Sequence, residues 1–324
     1  MKLAMIYSFL KQDLAKIEES INNTIQAQHP VLREASTQLL AAGGKRIRPV
    51  FVLLGGKFGD YRLERMEAVA VSLELIHMAS LVHDDVVDNA RLRRGEPTIK
   101  ARWDNRIAMY TGDYIFARSL ESLSALEDPH AHQVLAKTMV ELCLGEIEQV
   151  KDKYRLDQNL RDYLLRIKRK TALLIAASCQ LGAIASEASR QYERALYRYG
   201  YFVGMSYQII DDVLDFTASE EELGKPAGSD LLQGNITLPV LYAMEDEEIA
   251  SELHLLFQED TEKLTPEDIA PIISKIKAGD ALDRSLELSD RYLQKAYQAL
   301  DVLPAGRAKQ TLRGIAKYIG KRKS

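Results

Sequence analysis

Glu74-Leu-Ile-His-Met-Ala-Ser-Leu-Val-His-Asp-Asp-Val-Val-Asp-Asn-Ala-Arg-Leu-Arg-Arg-Gly95 sets three aspartates inside an otherwise apolar helical pattern. At about 100° per residue, Asp84 and Asp88 lie one turn apart and His77 sits two turns back on nearly the same line. One helix face therefore carries two carboxylates and an imidazole. Like charges at i and i+4 repel, and burial sharpens the repulsion, so the face asks for a counter-charge that Mg²⁺ supplies most simply. A lone DDxxD match reads more readily as a solvated acidic face. Here the pattern recurs as Asp211-Asp-Val-Leu-Asp215, 127 residues on (211 minus 84), again after an apolar run, Tyr207-Gln-Ile-Ile210. Two such faces can confront each other across one cavity. Mg²⁺ binds through one or two carboxylates and keeps its other positions for water and phosphate oxygens, so the pair points to a diphosphate substrate.

Composition limits the fold class. The chain has 324 residues, 46% of them hydrophobic, with 18 Gly and 9 Pro and no β-branched alternating runs, which predicts an all-α architecture. No linker composition interrupts it, so a single domain over 1–324 is expected. A net charge of −4 argues against an obligate nucleic-acid binder. Cys143 and Cys179 lie in apolar helical surroundings and read as buried thiols of a reducing compartment, which makes the cytoplasm the expected location. The N-terminal apolar run is interrupted by Lys11, Gln12 and Asp13, so it reads as a helix start and not as a signal peptide. The longest apolar runs fall short of the ~20 residues of a membrane span, leaving peripheral membrane contact.

Along the chain, a helix is expected from about residue 5 to 28, with Pro30 opening the next, which runs to Gly43-Gly44. Gly44-Lys-Arg-Ile-Arg-Pro49 then gathers three cations beside a proline read as a helix breaker, a candidate anion clamp whose bland alternative is a solvated basic turn. Helices follow over about 50–58 and 63–91. Arg91, Arg93, Arg94 and Gly95 leave the acidic helix where a metal-held diphosphate would project. Further helices are expected over about 100–125, 130–154 and 160–186. In the last, the basic run Arg166-Ile-Lys-Arg-Lys-Thr171 reads as a solvated face, although Lys170 and Thr171 at its apolar border can equally reach a cavity. His29, His130, His132 and His254 read as surface residues. The Gly-rich stretch 220–239 is too irregular for a helix and long enough to cover a site, with Lys225 and Asp230 able to overhang the second motif. Thr265-Pro-Glu-Asp268 is a capping-box pattern, and Gly320-Lys-Arg-Lys323 a short basic tail.

In this order, Gly44-Lys-Arg-Ile-Arg-Pro49, Leu81-Val-His-Asp-Asp-Val-Val-Asp88, Arg93-Arg-Gly95, Lys170-Thr171, Gln208 with Asp211-Asp-Val-Leu-Asp215, and Gly224-Lys-Pro226 resemble the trans-isoprenyl diphosphate synthases. The resemblance spans most of the chain and is strongest to long-chain members that make a C35 heptaprenyl diphosphate for the menaquinone side chain. It implies a helical bundle around a deep central cavity, with three Mg²⁺ ions and a diphosphate held by Asp84, Asp88 and Asp211. It places Asp84, Asp85, Asp88, Arg93, Lys170, Asp211 and Asp212 in the catalytic set. It assigns Lys45, Arg48, His77 and Arg94 to isopentenyl diphosphate, and Arg93, Lys170, Thr171, Gln208 and Lys225 to the allylic diphosphate. It also implies a small non-homologous regulatory subunit as heterodimer partner, or a homodimer when the chain is isolated. Many members carry lysine where this chain has Asn235, so no phosphate contact is assigned there.

Product length is expected to be set on the same helix. Ser72, Ile76 and Ala79 fall on a strip beside the metal face. In the resembling family the residue five before the first aspartate acts as a floor, aromatic in many short-chain enzymes; here it is Ala79, followed by Ser80, so the floor is open. Rival readings are weaker. A di-iron bundle would use Glu74/His77 and Glu127/His130, but Pro129 spoils the second pair. A terpene cyclase needs only one such motif, a non-catalytic helical scaffold needs neither, and a homodimeric hexaprenyl or octaprenyl synthase shares the chemistry but not the partner.

Overall fold

The structure, a computed structural model, describes residues 3–41, 43–44, 46–93, 95–218, 227–258 and 264–322. Helices dominate, and among the described residues the only strands are a two-residue antiparallel pair, so the all-α expectation holds. The elements are α1 Lys11–Thr24, α2 Pro30–Ala41, α3 Ile47–Gly56, α4 Leu63–Val87, β1 Leu92–Arg93, β2 Glu96–Pro97, α5 Asn105–Leu123, α6 Pro129–Asp152, α7 Leu160–Ile167, α8 Leu173–Ala185 and α9 Arg190–Thr217. They continue with α10 Leu238–Ala243, α11 Glu247–Gln258, α12 Pro266–Ala278, α13 Ala281–Ala299 and α14 Arg307–Gly320. The chain falls into two compact units, one of residues 1–136, 177–197 and 302–312, the other of 137–176, 198–301 and 313–324.

Local chemistry explains most starts. Pro30, Pro129 and Pro266 each occupy a first helical position, where the missing N–H is no loss. Thr265 and Asp268 form the expected capping box, and Asn159 with Asp162 forms another at α7. Several boundaries differ from expectation, and the helix expected over about 100–125 is broken at Trp103–Asp104 into Ile99–Arg102 and α5. The N-terminal helix is broken at Tyr7, with a 3₁₀ turn over Ser8–Leu10 before α1 begins. Pro49 does not break a helix but sits in the first turn of α3, where its absent donor costs nothing. Helix α4 stops at Val87, four residues early, because Asn89 takes a left-handed conformation (φ 52°). Asn89 N–H then bonds Val86 O (3.3 Å) and Ala90 N–H bonds Asp85 O (3.0 Å), the paired contacts of a Schellman stop. The chain turns there into the β1–β2 hairpin.

In the first unit, α4 packs along α5, with Ala35, Val82, Ile99 and Ala108 forming a buried cluster near the acidic end of α4. Helix α4 is also the one described helix long and apolar enough to cross a membrane, contrary to the expectation from shorter runs, but 67% of its apolar window is buried inside the protein. That marks it as a core helix. In the second unit, one cluster gathers Phe216, Leu231, Ile236, Val240 and the isoleucines of α12, and another gathers Tyr163, Ile167, Ala172, Met205, Ile209 and Leu238. Cys179 is buried, but Cys143 is exposed on α6, correcting the expectation of two buried thiols.

Candidate active site

The first aspartate motif closes α4. Asp84 and Asp88 are half-buried, and the Asp88 N–H donates to Asp84 O at 2.8 Å, so one helical turn separates their side chains. His77 lies half-buried two turns back, and Ser80 Oγ donates to its carbonyl (2.9 Å). Ile76 and Ala79 are wholly buried beside them. Asp85 points elsewhere. It is 4% exposed and accepts from both Nε (2.9 Å) and Nη2 (2.8 Å) of Arg93. Burial drives its carboxyl above the usual range, while the Arg93 guanidinium pulls it back. Asp85 therefore acts as the anchor that fixes Arg93 at the start of the hairpin. Asp84 and Asp88 stand at the carbonyl end of a helix dipole, where a cation is favoured.

The three cations around Gly44 do not act alike. Arg46, at φ 45°, donates to Glu18 through Nε (2.8 Å) and Nη2 (3.0 Å) and reaches Glu74 with Nη1 (3.3 Å). It ties α1 and α4 to the start of α3 and is not part of an anion clamp. Arg48 is half-buried in the first turn of α3. Lys45, Arg94 and Lys225 lie outside the described residues.

The second unit builds a different constellation. Between α7 and α8 the backbone makes a π-helical turn over Lys168–Ala172, which carries Lys170 and Thr171. Such turns recur at functional sites because they re-aim side chains without ending the helix. Two glycines let neighbouring helices approach it. A Cβ on Gly145 of α6 would stand 2.7 Å from Arg169 Cβ, and one on Gly204 of α9 would stand 2.6 Å from Ala172 Cα. The close approach of α6 brings Glu146 (3.1 Å) and Gln149 (2.8 Å) to Lys170 Nζ. The close approach of α9 brings Gln208, one turn beyond Gly204, to Thr171, whose Oγ1 donates to Gln208 Oε1 at 2.7 Å.

From Gln208 a chain of hydrogen bonds runs inward. Its Nε2 donates to Asp212 Oδ1 (2.8 Å), and the Tyr163 hydroxyl donates to Asp212 Oδ2 (2.7 Å). Asp212 is buried, and burial first, then the nearby Asp230 charge, pushes its carboxyl up to about 8 against the pull of Gln208 and Tyr163. Both Asp212 oxygens are engaged, so it orients Gln208. Asp215 likewise turns away from solvent. It accepts from Ser229 Oγ (3.0 Å) and Asp230 N–H (3.1 Å), and its carbonyl accepts from Gly228 N–H (2.8 Å). Asp211 alone of the three is exposed, with Arg322 beside it. The two motifs share a spacing but not a use: the last aspartate of the first stays at a helix end, whereas that of the second fastens a returning loop.

The basic run ahead of the π turn is not a solvated face. Arg166 is buried and donates to Gln158 Oε1 and to Ile236 O, and Arg169 pairs with Glu141 and Glu148. Among the described residues no three His, Cys, Asp or Glu side chains converge into a closed metal cage. Tyr163, Ser229, Glu146 and Gln149 were not legible as site residues; Gln149 and Glu146 sit at i+4 and i+1 from Gly145, a cue that becomes visible only once α6 is seen to cross the π turn.

Comparison with known proteins agrees with these motifs. A polyprenyl synthetase family model matches residues 29–275. The chain is 62% identical over 323 residues to heptaprenyl diphosphate synthase component 2 of Bacillus subtilis, covering 100% of this chain and 92% of that protein. Its structure superposes on heptaprenyl diphosphate synthase of Staphylococcus aureus with a TM-score of 0.92 at 41% identity, over 97% of this chain and 99% of that one. A polyprenyl synthase of Caulobacter crescentus, solved with calcium and isoprenyl diphosphate, superposes with a TM-score of 0.94 at 30% identity, over 100% and 98% of the two chains. With its ordered motifs and a match this long, the chain belongs to the polyprenyl synthetase family.

Proposed function

We infer that this chain is the catalytic subunit of a two-component heptaprenyl diphosphate synthase, a trans-prenyltransferase that extends farnesyl diphosphate with isopentenyl diphosphate to the C35 product used for the menaquinone side chain. The observation that carries the reading is the full-length 62% identity to a heptaprenyl synthase component 2, joined to both aspartate motifs being intact. Residues 1–324 act as one domain, a reading supported by a family match whose 29–275 span includes residues of both units. The location is cytoplasmic, with peripheral membrane contact at product release.

Asp84, Asp88 and Asp211 are the carboxylates that would hold three Mg²⁺ ions with the allylic diphosphate, a donor set of one or two carboxylates per ion. Bound Mg²⁺ supplies the positive charge that makes pyrophosphate a good leaving group. Arg93, fixed by Asp85, and Lys170, supported by Gln149, bring fixed cations to the same diphosphate. Gln208 is held in one orientation by Thr171 and by Asp212, itself fixed by Tyr163, so its second Nε2 hydrogen can be offered to a phosphate oxygen without reorganising, whereas Thr171 must turn its hydroxyl away from Gln208 to donate there. Lys45, Arg48, His77 and Arg94 receive isopentenyl diphosphate, and Lys225 the allylic one. As the allylic carbon–oxygen bond breaks, the isopentenyl double bond attacks that carbon, and the proton lost from the adjacent carbon passes to the departing pyrophosphate. The chain supplies no side-chain nucleophile. Its apolar wall at Ile76 and Ala79, with Ser80 beside it, excludes water and receives the growing hydrocarbon.

A small non-homologous partner subunit supplies the apolar exit that a long hydrocarbon needs. The test is to incubate the purified chain, with and without its candidate partner, with Mg²⁺, isopentenyl diphosphate and farnesyl diphosphate, and to weigh the products. C35 diphosphate is expected when both subunits are present. Sustained C35 synthesis by the chain alone refutes the two-component reading, and a C30 or C40 product refutes the assigned length.

A further inference from the structure

The last residues the structure describes lie beside the second aspartate motif. Beyond α14, the Arg322 guanidinium lies 4.9 Å from the ring of Tyr207, and its Nη2 stands 3.5 Å from Asp211 Oδ1. Tyr207 and Asp211 are one turn apart on α9, and all three residues belong to the same unit. Nη1 of Arg322 is buried without a hydrogen-bond partner. Arginines that hold this fold together behave otherwise. Arg93 grips Asp85 with two donors at 2.9 and 2.8 Å, Arg46 grips Glu18 at 2.8 and 3.0 Å, and Arg284 grips Glu245 with two at 2.8 Å. Arg322 has one long contact to a carboxylate that is half exposed, and an aromatic face. It is held by charge and not by paired directional bonds.

We propose that Arg322 is a tethered stand-in for a divalent cation on Asp211, neutralising that carboxylate in the metal-free protein and leaving it, with the tail, when the cation binds. The proposal rests on Asp211 being a metal ligand. The charge around Asp211 explains the need. Asp212 adjoins it, Asp215 follows one turn on, and Asp230 bonds Asp215 through its N–H (3.1 Å), so α9 ends in a group of carboxylates. A guanidinium nearby relieves their mutual repulsion. A small cation and a guanidinium cannot both occupy the lone pairs that point outward from Asp211, so they compete. The single long contact makes the exchange easy, whereas a bidentate pair would block it.

The test uses the full chain without substrate, titrated with Mn²⁺ while electron paramagnetic resonance reads the free ion. Arg322→Gln should raise the affinity of one site roughly two- to five-fold, the range that a partly exposed ion pair spans. In the wild-type chain, Mg²⁺ should speed amide exchange over residues 313–322. An unchanged or lowered Mn²⁺ affinity in Arg322→Gln overturns the proposal, and so does tail exchange that ignores Mg²⁺. Asp211→Asn separates the two ideas. If that variant binds Mn²⁺ like the wild type, the ligand role of Asp211 falls and the stand-in falls with it. If it loses a site while Arg322→Gln matches the wild type, only the stand-in falls.

Discussion

Tyr163→Phe removes one atom from the chain of bonds that positions Gln208. Tyr163 is wholly buried, so phenylalanine fills the same space and opens no cavity beyond the hydroxyl. The loss is the 2.7 Å bond to Asp212 Oδ2, a bond to a buried carboxylate worth about 1.5–3 kcal/mol when the group is ionised. Its size should depend on pH. The Asp212 carboxyl sits at about 8 against an ordinary 3.8, a raised value, so the stability it contributes is full below 3.8 and is lost as pH rises through 8. Tyr163 is one of two donors that lower that value, and without it the carboxyl titrates higher still. The penalty of the substitution is therefore small at about pH 6, where both proteins keep the proton, and grows as pH rises from about 8 to about 9. Urea denaturation of both proteins in EDTA at the two pH values measures it. For a cooperatively unfolding chain of this length, 2 kcal/mol corresponds to about 3 °C in melting temperature. Because Tyr163 acts through Gln208, KM for the allylic diphosphate should rise more than kcat falls. Equal urea midpoints for variant and wild type at both pH values would refute the reasoning.

Three further outcomes follow from the same geometry. Asp84→Ala, Asp88→Ala and Asp211→Ala should each lower Mg²⁺-dependent turnover by orders of magnitude while the circular dichroism spectrum stays helical; near-normal turnover would remove them from the metal site. Gly204→Ala places a methyl 2.6 Å from Ala172 Cα, so α9 must move off the π turn; a loss of about 1–3 kcal/mol in urea melts and a raised KM for the allylic diphosphate are expected, and unchanged values would show that this contact does not position Gln208. Ala79→Tyr should cut the product to C15 or C20 and Ile76→Gly should lengthen it, read by mass spectrometry; unchanged C35 from the tyrosine variant would mean that the hydrocarbon does not pass this wall.

What the sequence made legible was chemistry with a short-range signature. Two carboxylates at i and i+4 on an apolar helix, proline after a polar residue, and a Thr-x-x-Asp box each act within one turn, and each appears where it was expected. Long-range packing was not readable. Tyr163 in Leu160–Ile167 looks like any core aromatic until α9 brings Asp212 to its hydroxyl. The π turn has no composition of its own, and the closeness of Gly145 and Gly204 to it depends on helices distant in sequence. Asp88 and Asp215 occupy equivalent places in identical spacings, yet Asp215 is claimed by Ser229 and Asp230 after a long excursion of the chain. Arg322 reads as part of a solvated basic tail because its partner, Asp211, lies 111 residues earlier. Arg46 and Lys45 are adjacent and of like charge, and only Glu18 and Glu74 reveal that Arg46 is a tie between helices.

The acidic stop of α4 has a thermodynamic consequence. Asp84, Asp85 and Asp88 lie at the end of a 25-residue helix where the backbone carbonyls concentrate negative potential and favour a cation. Asp85 has the Arg93 guanidinium close against it. A cation that binds the folded state alone adds stability that grows with the logarithm of its concentration. With Asp84 and Asp88 as metal ligands, the melting temperature of the whole protein should rise with divalent ion supply, and neutralising either carboxylate should weaken that dependence.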